Sequence, residues 1–307
     1  MKTIKKLLVV LDPDTDSDFI VQRARLFAEK YQASVLLFMC KPNALSPDSV
    51  NSSGLGGLFF KKQQKLFVEH YEKLLQVLRG EFAASKIKVT AEFSAARNGS
   101  DTILKKILDY KPDLTIKSIQ EHSTLKNILI TSTDWHLIKL SPYPLLLVKP
   151  REWEEGGSII AAVDPMHVKA QQNQLDHLLL ETTVQMSAAL NLVPMAFHSY
   201  LPDLGALFPK VLDAEDYIKE VRAKHRTKVE ELASSHGIGL EHIILARGDL
   251  VRSLTQSIKK NKANVLAIGA LSRNMVERAI VGSTAEKILH DTPCDVLVMK
   301  NTAESMS

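Results

Sequence analysis

At 307 residues the chain is about twice the length of an ordinary domain, so two domains are expected, with one large domain as the alternative. Hydrophobic residues make up 45% and charged residues 24% of the sequence, the usual proportions of a globular protein, which argues against disorder over most of the chain. The net charge of +4 comes from interleaved basic and acidic residues, a pattern that argues against nucleic-acid binding.

The first predicted element is a buried strand at Leu7–Leu11, an apolar run that follows a basic patch and ends at Asp12. This run is too short for the apolar region of a signal peptide, and no apolar stretch approaches the roughly 18 residues of a membrane span. Cys40 and Cys294 lie in or beside apolar runs, where a free cysteine behaves as a small buried residue. We therefore expect a soluble, cytoplasmic protein without a structural disulfide and without a membrane partner.

The first half of the chain alternates short apolar runs with longer segments of helical periodicity. The predicted strands are Leu7–Leu11, Val35–Met39, Val89–Phe93, Leu114–Ile116 and Leu145–Val148. The predicted helices between them are Phe19–Tyr31, Lys61–Ser85 and Ser100–Tyr110. Strands that are apolar on both faces and joined by helices predict a doubly wound parallel sheet.

The second half repeats the first. The run Leu7–Leu11 and the Asp12 after it return 152 residues later as Ile159–Val163 and Asp164, and two later segments return at an offset of 151. The predicted strands of this half are Ile159–Val163, Val193–Phe197, His242–Leu245, Val265–Ile268 and Val296–Met299. The sequence therefore predicts an α/β protein of two tandem doubly wound five-stranded parallel-sheet domains, at residues 1–150 and 157–301.

A pattern of glycines and hydroxyl residues lies between the fourth strand and the last helix of the second half. Gly269 is followed by Ser272 and, after nine more residues, by Gly282, Ser283 and Thr284 at the start of an apolar-periodic helix. A helix start offers unpaired N–H groups and a positive dipole end that can hold a phosphate, and Gly282 would let that phosphate approach the backbone. The alternative is that Gly269 ends a strand and Ser283 caps a helix without any ligand.

This pattern resembles the Gly-x-x-Gly, nine residues, Gly-Ser/Thr motif of the universal stress protein family, with Ser272 in place of the second glycine. The resemblance covers nearly the whole chain as a tandem pair, and it implies the universal stress protein fold, which is adenine-nucleotide alpha-hydrolase-like, in both halves. It also implies that Asp164 lies near the adenosine moiety of ATP or another adenine nucleotide, with the adenine bound by the backbone near Met195 and Phe197. The family further implies that the two halves pair within one chain as a pseudo-dimer, with a homodimer of chains left open.

The first half has lost the pattern. Its corresponding positions are occupied by Ser118, Glu121, Thr131 and Ser132. Both flanking glycines are gone and Glu121 places an acid where a phosphate would lie, so we expect no ATP binding of the family type in this half. The segment Thr133–His136 resembles the divergent first half of tandem family members, and we interpret Trp135 and His136 as filling the space of a nucleotide rather than as a ligand site.

Motifs of catalysis do not occur in the sequence: it contains no phosphate-binding lysine loop, no nucleophile elbow and no spacing typical of a metal site. The leading hypothesis is a non-catalytic cytoplasmic stress-response protein that binds an adenine nucleotide in its second half only. One alternative is a slow nucleotide hydrolase or phosphotransferase. Another is a scaffold or carrier of an apolar small molecule, with Leu201–Pro209 as a lid and no nucleotide.

Overall fold

The computed structural model of the protein describes residues 3–13, 17–42, 55–83, 85–96, 98–122, 127–166, 170–203, 214–270 and 283–301. The chain divides into two compact units, residues 2–151 and 152–307, which we call the first and second domains. No helix in these ranges combines the length and the apolar character that crossing a membrane requires.

The first domain is a parallel sheet with helices in the connections between its strands. Its elements in chain order are β1 (Lys6–Leu11), α1 (Asp18–Tyr31), β2 (Ser34–Pro42), α2 (Leu55–Gly80), β3 (Val89–Ala96), α3 (Gly99–Tyr110), β4 (Leu114–Ser118), β5 (Gln120–His122), β6 (Asn127–Leu129), α4 (Ser132–Leu140) and β7 (Leu145–Val148). The sheet runs in the order β3-β2-β1-β4-β7 with every neighbouring pair parallel, and β5 and β6 form a separate antiparallel pair.

The second domain repeats this plan. Its elements are β8 (Ser158–Ala162), α5 (Ala170–Leu190), β9 (Val193–Tyr200), α6 (Ala214–Ser234), β10 (Ile243–Arg247), α7 (Leu250–Lys260), β11 (Ala263–Gly269), α8 (Ser283–Asp291) and β12 (Asp295–Met299), with a 3-10 turn at Leu240–His242 before β10. The strand order is β10-β9-β8-β11-β12, again all parallel.

Burial explains why the apolar runs form the inner strands. All residues of Leu7–Leu11 in β1 are at most 2% exposed, because helices cover both faces of the sheet. In the second domain, one side of the sheet packs Phe197 and Leu266 against Leu254 of α7 and Ile288 of α8. The ten predicted strands and the two-domain architecture are confirmed.

One prediction about local structure needs correction, and one pair of strands was not predicted. The helix predicted at Lys61–Ser85 is α2, which begins earlier, at Leu55, and ends at Gly80. Beyond Gly80 the backbone bonds tighten to the three-residue spacing of turns, and the buried Phe82 belongs to these turns although it continues the apolar pattern. The pair β5 and β6 was not predicted, because strands of three residues are too short to show a periodic pattern.

Candidate functional site

The candidate site lies at the carboxyl edge of the second domain's sheet, where the strand order reverses between β8 and β11. The chain leaves β8 towards β9 on one side and leaves β11 towards β12 on the other. In sheets of this type the diverging connections open a crevice at the carboxyl ends of the two central strands, which is where ligands bind. Asp164 follows β8, Gly269 ends β11, and α8 begins at Ser283 on the connection from β11.

Asp164 is held in position by its neighbours. Its backbone N–H donates to Oδ2 of the buried Asp176 on α5 over 3.3 Å, and its own Oδ1 accepts from the backbone N–H of Met166 at 3.3 Å. The side chain is 46% exposed, so the carboxylate faces the carboxyl edge of the sheet with part of its surface in solvent. A carboxylate in this state can accept hydrogen bonds from the hydroxyls of a ligand.

Gly269 has a structural requirement that is independent of any ligand. A Cβ atom added at this position would lie 2.5 Å from Cδ2 of Leu175, whose side chain packs against the end of β11. A side chain at this position would force Leu175 to shift, so glycine favours the close packing of α5 on the strand. This geometry supports the alternative in which Gly269 serves the fold, and it leaves the phosphate role of Gly269 as a prediction.

Ser283 and Thr284 lie in the first turn of α8, as the helical pattern predicts. Since β11 runs towards the carboxyl edge and α8 returns from it, the N-terminus of α8 lies at the same edge as Asp164. Ser272 and Gly282 lie outside the described residues, as does most of the segment Leu201–Pro209. The structure thus brings Asp164, Gly269 and the start of α8 to one edge of the sheet.

A pair of stacked histidines next to Asp164 was missed in the sequence. Nδ1 of the buried His198 on β9 lies 3.1 Å from the carbonyl oxygen of Val163 and 3.9 Å from Oδ1 of Asp164, and Nε2 lies 2.7 Å from Nδ1 of His225 on α6. With Nδ1–H donating to the Val163 carbonyl, Nε2 of His198 is the acceptor and His225 donates. The His225 ring also stacks on Tyr200, with the ring centroids 5.2 Å apart.

The environment of His225 favours its neutral form. Burial lowers the pKa of His225, the negative charge of Asp164 acts in the opposite direction, and the positive charge of Lys224 lowers the pKa further. His198 and His225 are 27 positions apart on different elements, so spacing in the sequence gave no signal. The described residues include no group of three or more histidine, cysteine or acidic side chains that could hold a metal ion.

The two residues expected near the adenine are core residues. Met195 is 7% exposed and Phe197 is 1% exposed, and both side chains belong to the apolar cluster beneath α7. The Phe197 carbonyl oxygen accepts a hydrogen bond from the backbone N–H of Val163 over 2.9 Å. Their side chains are therefore buried in the core, and only the backbone groups of β9 could contact an adenine base.

The corresponding edge of the first domain is built differently. The carboxylate of Asp134 in the first turn of α4 is fully buried, and its Oδ1 lies 2.7 Å from Nζ of Lys117 on β4. Its Oδ2 accepts from the backbone N–H of Thr131 at 2.7 Å and from the Thr131 hydroxyl at 2.8 Å. The side chain of Glu121, which was expected to repel a phosphate here, lies outside the described residues.

Trp135 and His136 follow Asp134 on α4. Trp135 is partly buried, and Nε2 of His136 lies 3.0 Å from Oδ1 of Asp101 on α3. The imidazole is therefore engaged with a neighbouring helix. That these two side chains fill the space of a nucleotide stays a prediction. At the start of α4, Thr131 and Asp134 form a capping box, in which the Asp134 backbone N–H donates to the Thr131 hydroxyl over 3.2 Å and the Asp134 carboxylate accepts from the Thr131 backbone N–H.

Comparison with known proteins agrees with this architecture. The sequence profile described as "Universal stress protein family" matches residues 3–149 and 168–300. Universal stress protein E of Escherichia coli (strain K12) is 22% identical over 311 residues, which cover 98% of this chain and 95% of that protein.

Two solved structures resemble the fold over nearly its full length. A functionally unknown protein from Pseudomonas aeruginosa PAO1 has a TM-score of 0.71 at 22% identity and covers 97% of this chain and 93% of its own. A universal stress protein from Archaeoglobus fulgidus DSM 4304 has a TM-score of 0.64 at 16% identity, with coverage of 95% and 98%. The tandem arrangement of the two domains is thus shared with proteins of very different sequence.

Proposed function

Because the chain belongs to the universal stress protein family, we propose that it is a non-catalytic stress-response protein whose second domain binds an adenine nucleotide. The nucleotide, ATP, ADP or AMP, would lie across the carboxyl ends of β8 and β11, and the first domain would bind none. Binding would serve as a signal rather than as the first step of a reaction, and the protein would act in the cytoplasm.

The observation that carries this proposal is the start of α8 at the reversal point of the sheet. Ser283 opens the helix at the carboxyl edge of the sheet, the edge at which Asp164 lies, so the N–H groups of its first turn and the positive end of its dipole are available to a ligand there. Helix starts of this kind hold phosphate groups without any lysine. The hydroxyls predicted at Ser283 and Thr284 would add donors to the same phosphate.

Asp164 supports the assignment of the ligand as a nucleoside phosphate. A half-exposed carboxylate at the end of the first strand of the domain accepts hydrogen bonds from sugar hydroxyls and repels phosphate, so it would fix the sugar end of the ligand away from α8. The buried Asp176 would act as a positioning residue, because it holds the backbone N–H of Asp164.

A titration calorimetry experiment on the full chain tests this proposal. Asp164→Ala removes one hydrogen bond to a charged group, worth about 1.5–3 kcal/mol, which corresponds to a loss of roughly 10- to 150-fold in affinity for ATP. Asp12→Ala is the matched control, since Asp12 occupies the equivalent place in the first domain. Equal affinities of the two variants, or no binding of ATP, ADP and AMP to the unaltered chain, would contradict the proposal.

A turnover assay separates the proposal from the hydrolase alternative. We expect no release of phosphate from ATP above background at saturating nucleotide. Release that disappears in the Gly282→Asp variant would identify an enzyme instead.

A further inference from the structure

A chain of hydrogen bonds in the second domain fixes which nitrogen of His225 carries a proton. The carbonyl oxygen of Val163 can only accept, so Nδ1 of the buried His198, 3.1 Å away, is protonated and donates to it. In the neutral imidazole Nε2 of His198 is then an acceptor, and it receives a hydrogen bond from Nδ1 of His225 over 2.7 Å. In neutral His225 the other nitrogen, Nε2, therefore carries a lone pair, and no residue in the described part of the chain donates to it.

The surroundings of His225 keep this ring neutral and in place. Burial lowers the pKa of His225, the negative charge of Asp164 opposes this shift, and the positive charge of Lys224 adds to it. The partly buried ring stacks on Tyr200 and on His198, with centroid distances of 5.2 and 5.0 Å. Above the ordinary pKa range of histidine, Nε2 is thus a hydrogen-bond acceptor held at the edge of the sheet.

The ring of His225 lies on the side of the site where the base of a nucleotide would be. Neighbouring strands follow the order β9-β8-β11. Under the proposed function the phosphates lie at the start of α8, on the connection that leaves β11, and the sugar lies at Asp164 after β8. A nucleotide placed in this direction continues past β8 towards β9, whose last residue, Tyr200, is stacked on His225.

We propose that His225 is a specificity-determining residue of the second domain, whose Nε2 accepts a hydrogen bond from the amino group at C6 of adenine. This inference rests on the proposed function, because it needs a nucleotide at this edge of the sheet. Hypoxanthine has an oxygen at C6, which would place an acceptor against an acceptor. His198 is a positioning residue, because its bond to the Val163 carbonyl oxygen fixes the tautomer of His225.

Titration calorimetry of the full chain with ATP and with inosine triphosphate (ITP) tests the inference. The two ligands have the same sugar and phosphates, and ITP has an oxygen in place of the C6 amino group. At pH 7.5 we expect ITP to bind about 10-fold or more weakly than ATP, since one hydrogen bond is replaced by a repulsive contact.

The matched variant is His225→Asn. The amide group of asparagine can still donate to Nε2 of His198, but it provides no acceptor at the place of Nε2 of His225. We expect this variant to bind ATP roughly 2- to 13-fold more weakly and to lose most of the preference for ATP over ITP. The control is His242→Asn, in the 3-10 turn before β10, which should keep the preference of the unaltered chain.

The pH dependence separates this role from a purely structural one. A proton on Nε2 of His225 turns the acceptor into a donor, so the preference of the unaltered chain for ATP over ITP should decrease between pH 7.5 and pH 5.5. The ratio of the two affinities removes the effect of pH on the phosphates, which the ligands share. In His225→Asn the ratio should not change with pH, whereas a pH-dependent ratio in this variant would contradict the inference.

Nitrogen NMR of the imidazole rings in the ligand-free full chain tests the tautomers without any variant. At pH 7.5 both His198 and His225 should be protonated at Nδ1 and unprotonated at Nε2. A proton on Nε2 of His225 would overturn the inference. Equal affinities for ATP and ITP in the unaltered chain would overturn it and leave the proposed function standing, whereas no binding of either nucleotide would overturn both.

Discussion

The ion pair of Lys117 and Asp134 should be a major determinant of the first domain's stability. Lys117→Met removes the cation and leaves a carboxylate that is 0% exposed, which costs about 3–5 kcal/mol of the free energy of unfolding. A typical domain has only about 5–15 kcal/mol in total. The matched control is Lys106→Met, whose lysine is 27% exposed and pairs with the 48% exposed Glu92, so its loss should cost about 0–1 kcal/mol.

Urea unfolding followed by Trp135 fluorescence measures both variants in the same domain. The double variant Lys117→Met/Asp134→Ala should lose less stability than the sum of the losses in Lys117→Met and Asp134→Ala, because neither buried charge is then left without its partner. The reasoning is refuted if Lys117→Met costs as little as Lys106→Met, or if the effects of the two single changes simply add.

Two further predictions concern the second domain. Gly157→Ala should lower the free energy of unfolding by about 1–3 kcal/mol, because the new Cβ would lie 2.6 Å from the carbonyl oxygen of Lys262, whereas Gly80→Ala in the first domain meets nothing within 4 Å and should be neutral. Acidification should destabilise the second domain. Burial lowers the pKa of His225 in the folded protein below its value in the unfolded chain. The unfolded state therefore binds more protons as the pH falls through the ordinary pKa of histidine, and the free energy of unfolding decreases. In His225→Asn the loss of stability between pH 7.5 and pH 5.5 should be smaller.

Both effects are read from urea unfolding, with Trp153 fluorescence as the signal of the second domain and Trp135 fluorescence as the signal of the first domain for the Gly80→Ala control. Equal stabilities of the Gly157→Ala and Gly80→Ala variants would show that the close approach of Gly157 to Lys262 is not a constraint. An unchanged difference between the two pH values in His225→Asn would show that another group carries the acid sensitivity.

The strands could be predicted from the sequence because they are buried on both faces, which makes each one a continuous apolar run. The repeat at offsets of 151 and 152 then fixed the two-domain plan, and the equivalent starts of α4 and α8 follow from it. The ends of the helices were harder to predict from the sequence. Phe82 continues the apolar pattern past Gly80, although it belongs to turns, because burial alone does not distinguish a helix from the turn that follows it.

The side-chain contacts of the site could not be predicted in the same way. The pairing of Lys117 with Asp134 and that of His198 with His225 depend on which elements meet at the sheet edge. Gly269 shows a different limit of prediction from sequence. A glycine at this position is compatible both with a phosphate close to the backbone and with the packing of Leu175 against the strand, so the residue type alone does not distinguish the two roles. From the sequence we predicted that the first domain differs at this place by its two lost glycines, by Glu121 and by Trp135, and this stays a prediction. The contacts of Asp134 with Lys117 and Thr131 were not predicted.

The number of nucleotides bound per chain tests the central claim most directly. Titration calorimetry of the full chain with ATP should give one site, and Gly282→Asp, which places a carboxylate at the start of α8, should abolish it by repelling the phosphates. Asp12→Ala in the first domain should leave the single site intact. A stoichiometry of two, no binding at all, or a single site that survives Gly282→Asp would contradict the proposal that only the second domain binds a nucleotide.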